Sequence, residues 1–314
     1  MRIVFMGTPE FALPSLQILL DNHYPISAVV TAPDKPQGRG QKPAPSPVKR
    51  FSLDRSLNLL QPADLKAPSF AAEIKALNPD LLVVVAFRIL PSSVYSLAAK
   101  GAFNLHASLL PKYRGAAPIN WALIRGEQET GVTTFFLGET VDTGSIILQA
   151  RVRIGPDETA GELHDKLAEV GAEIVLQTVR LIGSGKAQPR TQDEGHATPA
   201  PKIFKNDCRI DWNKTSIDIH NFVRGLSPVP GAWTTFRGKI IRLYRTAQHD
   251  ASNHVGSEPG TVVKVDKETL MVRASEGVIS IKEIQMEGRK RMSAAEFLRG
   301  FPIQEGERFG GGDR

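Results

Sequence analysis

Short, wholly apolar runs alternate along this chain with longer stretches in which apolar residues recur three or four apart. Residues 2–6 are a short apolar run ending at Gly7, and they predict a strand. The following "PEFALPSLQILLDN" carries Leu13, Leu16, Ile18, Leu19 and Leu20 at helical spacing. Residues 26–31 and 57–62 predict two more strands, and residues 68–78 a helix opened by Pro68. "DLLVVVAF" at 80–87 is a continuous run of the kind that marks a strand covered on both faces. "GAFNLHAS" at 101–108 reads as a strand running into a loop, and "APINWALIRG" as a helix. Residues 130–137 and 145–154 predict strands that give the sheet a mixed end. Residues 157–185 predict a long amphipathic helix with Leu163, Leu167, Val170, Ile174, Leu176 and Val179 inward, ended by "GSG".

Strand followed by helix, repeated, predicts an α/β domain with a Rossmann-like, doubly wound sheet over residues 1–184. Ligands of such sheets bind beyond the carboxyl ends of the strands. The "GTPEF" turn lacks the second and third glycines of a dinucleotide fingerprint. Residues 185–206 are polar and proline-rich, as a linker is. Residues 207–314 break into short strands with turns at "GK", "KE" and "EG", which predicts a small OB-like β-barrel domain. "SAAEFLRG" closes it as a helix capped by Ser293, with Glu296 three residues on. A length of 314 residues suits two domains.

Composition narrows the setting. Cys208 is the only cysteine, so no intrachain disulfide forms and no cysteine cluster can hold a metal. It reads as a small buried side chain in a reducing compartment. The longest apolar run, residues 81–87, is far short of a membrane helix, and the N-terminal run is too short for a signal-peptide core. A cytoplasmic protein without a membrane partner is the expectation. The net charge of +6 permits an anionic partner without demanding one. Its distribution is more telling. Between residues 31 and 50 lie Lys35, Arg39, Lys42, Lys49 and Arg50 against the single acid Asp34. Gly38, Gly40 and five prolines in the same stretch predict neither helix nor strand there.

The candidate chemistry sits in "NLHASLLPKYRGAAP". Residues i and i+2 of a strand share a face, so Asn104 and His106 converge while Leu105 packs behind them. An amide and an imidazole aimed together can polarise a carbonyl and hold a developing oxyanion. Asp142, in the glycine-bounded loop "GETVDTGSI", is the candidate third member. It could orient His106, favour its charged form or hold a water. Singly, the histidine also fits a hydrogen-bonded structural role, and the aspartate a turn former. Ser108, Leu109, Leu110 and Pro111 form a stiff segment able to present polar groups and an apolar wall to a planar heterocycle.

These segments, "FNLHASLLPKYRGAAPINWALIRGEQETGVT" followed by "DTG", resemble the folate-dependent formyltransferase family. The likeness extends to "RIVFMGTPEFALPSL", to "PDKPQGRGQKPAPSPVK" and, in the second domain, to "RIDWNKTSIDIHNFVRGLSPVPGAWT". Nearly the whole chain is similar to the members that act on initiator tRNA. The resemblance implies the formyltransferase fold and transfer of a formyl group from 10-formyltetrahydrofolate to methionine on initiator Met-tRNA. It implies Asn104, His106 and Asp142 as the catalytic set, and Ser108, Leu109, Leu110 and Pro111 as the folate-binding loop. It implies contacts to tRNA from Lys35, Arg39 and Lys42, with Lys202 and Lys205 as further candidates. No metal and a monomeric state are expected. Where family members carry "AYGLILP", this chain has the shorter "AFRILP". Arg88 there could reach the folate's glutamate tail or face solvent. Rival readings are a formyltransferase for a small amine such as an amino-sugar nucleotide, a formyl-folate hydrolase, and a non-catalytic RNA-binding protein.

Overall fold

A computed structural model describes residues 1–37, 42–249 and 257–311. Along the chain the strands are β1 (Ile3–Gly7), β2 (Ile26–Val30), β3 (Lys35–Gln37), β4 (Lys42–Ala44), β5 (Leu59–Leu60), β6 (Leu81–Val85), β7 (Ala102–His106), β8 (Glu129–Phe136) and β9 (Ile146–Arg153). They are followed by β10 (Ala232–Phe236), β11 (Lys239–His249), β12 (Val262–Val265), β13 (Leu270–Arg273), β14 (Val278–Met286) and β15 (Met292–Ser293). The helices are α1 (Leu13–Asp21), α2 (Pro47–Asp54), α3 (Pro68–Ala76), α4 (Ser92–Tyr95), α5 (Pro118–Ile124), α6 (Ala160–Gly183), α7 (Ser216–Leu226) and α8 (Ala294–Gly300).

The chain forms two compact units. The first comprises Met1–Gly115, Glu129–Arg153 and His164–Pro199, and the second Ala116–Gln128, Ile154–Leu163 and Ala200–Arg314. The first is built on a seven-stranded sheet in the order β5-β2-β1-β6-β7-β8-β9. From β5 to β7 the pairings are parallel, and β7–β8 and β8–β9 are antiparallel, the mixed end read from the sequence. The strand order reverses beside β1, so the crevice at the carboxyl ends of β1 and β6 adjoins the end of β7.

The two faces of this sheet are filled differently. Val4, Met6, Val30, Leu82, Val84 and Ala102 pack with Phe70 and Ile74 of α3 and Val94 of α4. Leu105 lies on the opposite face, against α6. A Cβ on Gly171 would come within 2.7 Å of the Leu105 side chain, so a glycine lets the helix approach β7. Thr134 and Thr178 join the same helix and sheet by a buried hydroxyl pair at 2.7 Å.

Of the positions expected inward on α6, five are buried and Val170 is half-buried. The helix begins at Ala160 rather than 157 because Thr159 caps it: Glu162 accepts from the Thr159 N–H and hydroxyl, each at 2.8 Å. The strand expected at residues 57–62 contracts to β5, Leu59–Leu60.

The proline-rich basic segment departs from expectation, since β3 and β4 pair antiparallel with Pro36 opposite Pro43. In such ladders, hydrogen-bonded pairs alternate with pairs whose N–H groups point outward. Two facing prolines fit the second kind, so the pairs Lys35–Ala44 and Gln37–Lys42 carry the ladder.

The second unit holds a six-stranded antiparallel sheet. Its path is β10-β11-β14-β13-β12, with β15 paired to β14. Its core gathers Trp212, Val223, Phe236, Leu243, Ile281, Ile284, Phe297 and Phe309, with Cys208 buried among them. Helix α8 carries the expected cap, with Ser293 accepting from the Glu296 N–H and the Glu296 carboxylate accepting from Ser293. Among the described residues no helix is long and apolar enough to cross a membrane.

Candidate active site

Strand β7 brings Asn104 and His106 to one face, and register sets their neighbours. Asn104 lies between Val84 and Phe135, and His106 lies opposite Thr133. The imidazole is buried, and its Nε2 is 2.8 Å from the Tyr113 carbonyl oxygen. A carbonyl can only accept, so that nitrogen carries the proton and donates. Nδ1 then faces Asp142, whose Oδ2 is 3.8 Å away. The Asn104 side chain is half-buried and makes no hydrogen bond among the described residues. Its amide donors are uncommitted beside the ring.

Asp142 is reached by a turn that two local features hold. Its own φ is +59°, the left-handed region that aspartate tolerates better than most residues. Two residues on, a Cβ on Gly144 would run into the carbonyl of Phe136, so only glycine fits. The Asp142 carboxylate accepts from the Gly115 N–H at 2.9 Å, with the same Oδ2 that faces His106. The turn-forming and functional readings of Asp142 are therefore compatible.

Residues 190–199 add a layer around this site. Arg190 pairs with Ile146 at the start of β9 through two backbone hydrogen bonds, of 2.7 and 2.8 Å. Gln192 is 5 % exposed and donates to the carbonyls of Asp142 and Gly144, both at 2.8 Å. Its Oε1 accepts from Arg114 Nη2 at 2.7 Å and Nε at 3.2 Å. Arg114 also grips Glu194 with two bonds of 2.7 Å, which hold the guanidinium above its ordinary range and the carboxyl below its own. Thr198 accepts the Tyr113 N–H on its hydroxyl and the Arg114 N–H on its carbonyl, each at 2.9 Å.

The 108–111 loop is anchored from β8 and β9. Thr133 donates to the Ser108 carbonyl at 2.6 Å and accepts from the Leu110 N–H at 3.1 Å. Gln149 donates to the Leu110 carbonyl at 2.9 Å and to Thr133 at 3.0 Å. The Ser108 hydroxyl is buried and donates to the Lys112 carbonyl, and the Leu110 side chain packs with Phe135 and Ile146. Leu109 and Pro111 remain half-buried. Of the four loop candidates, these two keep part of their surface exposed, Leu109 with its side chain against Gly131 of β8, while Ser108 and Leu110 shape the loop from within.

Arg88 has a use that neither sequence reading anticipated. It donates to the carbonyls of Pro62 and Ala63 at 2.6 and 3.0 Å, tying the loop after β5 to the turn after β6. Burial pushes its pKa down, and its Nε has no partner among the described residues. Of the basic residues between 31 and 50, Lys49 pairs with Asp34 at 2.8 Å. Lys35 and Lys42 have their backbones in the β3–β4 ladder, and Arg39 lies outside the described residues. In the second unit Lys202 and Lys205 are exposed, and Lys202 lies over the exposed Phe204 ring at 5.2 Å. Among the described residues no group of three His, Cys, Asp or Glu side chains is placed to hold a metal ion.

Sequence reasoning passed over Thr133, Gln149, Gln192 and Arg114. Thr133 carried a readable signal, a polar side chain within a strand buried on both faces, whereas Gln149 falls on the polar parity of β9 with the exposed Arg151 and Arg153. Gln192 carried none, in a segment whose composition suggests only a linker.

Comparisons with known proteins bear on the family and the fold. The Formyl transferase family profile matches residues 1–179, and the profile for the formyl transferase C-terminal domain matches residues 202–302. The methionyl-tRNA formyltransferase of Acetivibrio thermocellus is 47% identical over 311 residues, covering 99% of this chain and 100% of its own length. That of Chlorobium luteolum is 49% identical over 305 residues, with 96% and 97% covered. Among solved structures, HypX from Aquifex aeolicus in complex with tetrahydrofolic acid superposes with a TM-score of 0.66 at 19% identity. It covers 95% of this chain and 47% of its own. The sugar 3N-formyl transferase WlaRD gives 0.65 at 20% identity, covering 92% and 99%. These two share the fold, and the sequence relatives decide the family: the chain belongs to the methionyl-tRNA formyltransferases.

Proposed function

We propose that this protein transfers a formyl group from 10-formyltetrahydrofolate to the α-amino group of methionine on initiator Met-tRNA. The full-length likeness to methionyl-tRNA formyltransferases supports the substrate pair. The observation that carries the chemistry is an uncommitted Asn104 amide beside an imidazole whose Nε2–H is held by Tyr113 and whose Nδ1 faces Asp142.

A deprotonated amine is itself the nucleophile, so the site needs no serine or cysteine. Attack on the formyl carbon forms a C–N bond and moves the carbonyl π pair onto oxygen. The Asn104 amide donates to that oxyanion. His106 Nδ1 takes the proton from the attacking nitrogen, and the Asp142 carboxylate stabilises the resulting imidazolium. Collapse breaks the bond to the folate nitrogen, which takes up the same proton. Leu109 and Pro111 supply apolar wall for the folate. Ser108 and Leu110 hold that loop in shape.

Lys35, Arg39, Lys42, Lys202 and Lys205 are read as phosphate contacts for the tRNA. Under this reading residues 1–184 carry the chemistry, 185–206 connect while residues 190–199 also brace the site, and 207–314, taken as an OB-like module, hold RNA. The protein acts as a cytoplasmic monomer. One assay tests the proposal. 10-Formyltetrahydrofolate is supplied with charged initiator tRNA, charged elongator tRNA, a small amino sugar nucleotide, or water alone. Formylation confined to initiator Met-tRNA is expected. Faster transfer to the small amine, or formate release matching transfer, would overturn the assignment.

A further inference from the structure

The two groups that bracket the His106 ring come from different loops. One is the carbonyl of Tyr113, and the other is the carboxylate of Asp142. Their separation fixes where the ring sits, yet neither loop has regular structure of its own. The Gly115 N–H bonds directly to Asp142 Oδ2, and one buried amide joins the two loops a second time. Gln192 grips the Asp142–Gly144 turn with its NH2 group, through both carbonyls. With its oxygen it grips Arg114, the residue after Tyr113. The orientation of this amide follows from chemistry. Carbonyls only accept and a guanidinium only donates, so Nε2 must face the turn and Oε1 must face Arg114. Both donor hydrogens and the acceptor oxygen are used, in a side chain that is 5 % exposed. Glu194, two residues along, holds the far edge of the same guanidinium.

We propose that Gln192 is a positioning residue for the transfer step: with Arg114 it sets the gap between the Tyr113 carbonyl and the Asp142 carboxylate, and so the placement of His106 Nδ1. The inference rests on the reading of Asn104, His106 and Asp142 as the reacting set. It makes the polar segment after α6 part of the active site. A displacement of about 1 Å at a reacting group can cost on the order of 100-fold in rate. Gln192 touches no reacting atom, so its loss falls on turnover and not on substrate affinity.

The test compares Gln192→Met, which keeps volume and removes every bond, with Gln192→Glu, which keeps the acceptor for Arg114 and removes both donors to the turn. Each is made in the full chain, alone and together with Asp142→Ala, and checked for folding by circular dichroism. We expect kcat with initiator Met-tRNA to fall roughly 10- to 100-fold in both single variants. KM for tRNA and for 10-formyltetrahydrofolate should stay within about twofold, because the substrate contacts are untouched. Adding either change to Asp142→Ala should lower kcat by no more than about twofold, because the two residues then act through one geometry. If Gln192→Met does not fold, Gln192→Glu alone decides. Near-normal kcat in a folded Gln192→Glu protein, with Asp142→Ala inactive, overturns the positioning role and leaves the reacting set standing. So does a full multiplicative loss in the double variant. Normal turnover in Asp142→Ala overturns the reacting set and this inference together.

Discussion

His106 donates its Nε2 proton to the backbone carbonyl of Tyr113 across 2.8 Å, and that bond leaves Nδ1 as the ring nitrogen turned toward Asp142. The two nitrogens therefore make different predictions. His106→Gln can rebuild the bond to Tyr113 through its amide but has no base at the Nδ1 position. Its kcat should fall about as far as that of His106→Ala, by on the order of 100-fold or more, as befits loss of a general base. Asn104→Ala removes a donor instead, and about 3 kcal/mol of transition-state stabilisation with it. Steady-state kinetics and tRNA binding on the same preparations check both. Retained turnover in His106→Gln would mean that the ring serves only through its bond to Tyr113 and that neither imidazole nitrogen handles the proton.

Gly144 provides a separate handle on the same turn. Its Cα lies so close to the Phe136 carbonyl that a methyl group cannot be accommodated without moving β8 or the turn. Gly144→Ala should shift Asp142 away from His106 and lose turnover by tenfold or more, with a stability loss of about 1–3 kcal/mol from overpacking. Urea unfolding followed by tryptophan fluorescence gives the second number, and single-turnover formylation gives the first. An alanine variant with both values unchanged would show that the turn relaxes freely.

The sequence was most legible where period and local chemistry act alone. Asn104 and His106 could be assigned one face because a strand alternates whatever surrounds it, and Leu105, packed against α6 from the other face of β7, is the other half of that alternation. The capping of α8 by Ser293 was readable for the same reason. The start of α6 was misjudged although "TAGE" spells a Thr159–Glu162 capping box. Composition misled at 35–44, where prolines argue against a ladder unless they face one another, and facing is a tertiary fact. It was silent at Gln192. Nothing local distinguishes a buried glutamine with all its bonds made from a solvated one, because its partners lie 48 to 78 residues away in the chain. Arg88 belongs to the same class, with its carbonyl partners 25 and 26 residues upstream.

Lys202 and Lys205 are exposed, and no ion pair joins either to a carboxylate among the described residues. Such lysines are available to phosphates, and each phosphate contact adds to the dependence of binding on salt. Replacing either by alanine should weaken binding of initiator tRNA and lower the slope of log K against log salt by about 0.7 to 0.9. The same should hold for Arg39→Ala. kcat at saturating tRNA should stay near normal, since these side chains act in binding only. Fluorescence anisotropy across 50 to 200 mM salt, a range over which phosphate-dominated binding falls steeply, reads the slope. An unchanged slope in all three variants would remove them from the RNA contact surface.

Glu162 links helix capping to acid stability. Its carboxylate accepts from the Thr159 backbone N–H and hydroxyl and pairs with Arg245. The bond from the Thr159 backbone leads the causes that lower its pKa from 4.5 to about 2. A carboxylate with a depressed folded pKa contributes stability that is fully present above its unfolded value and is lost as pH falls through the folded one. The contribution should therefore be intact at pH 6 and fade between about pH 4.5 and 2. The side chain is 48% exposed, so solvent screening keeps the ion pair below about 1 kcal/mol, and the cap adds an amount of the same order. Glu162→Gln should be less stable than the parent at pH 6, and the gap should narrow steadily as the medium is acidified. Urea midpoints measured from pH 6 down to pH 3 test this. A gap that stays constant over that range would mean that Glu162 contributes through packing rather than through its charge.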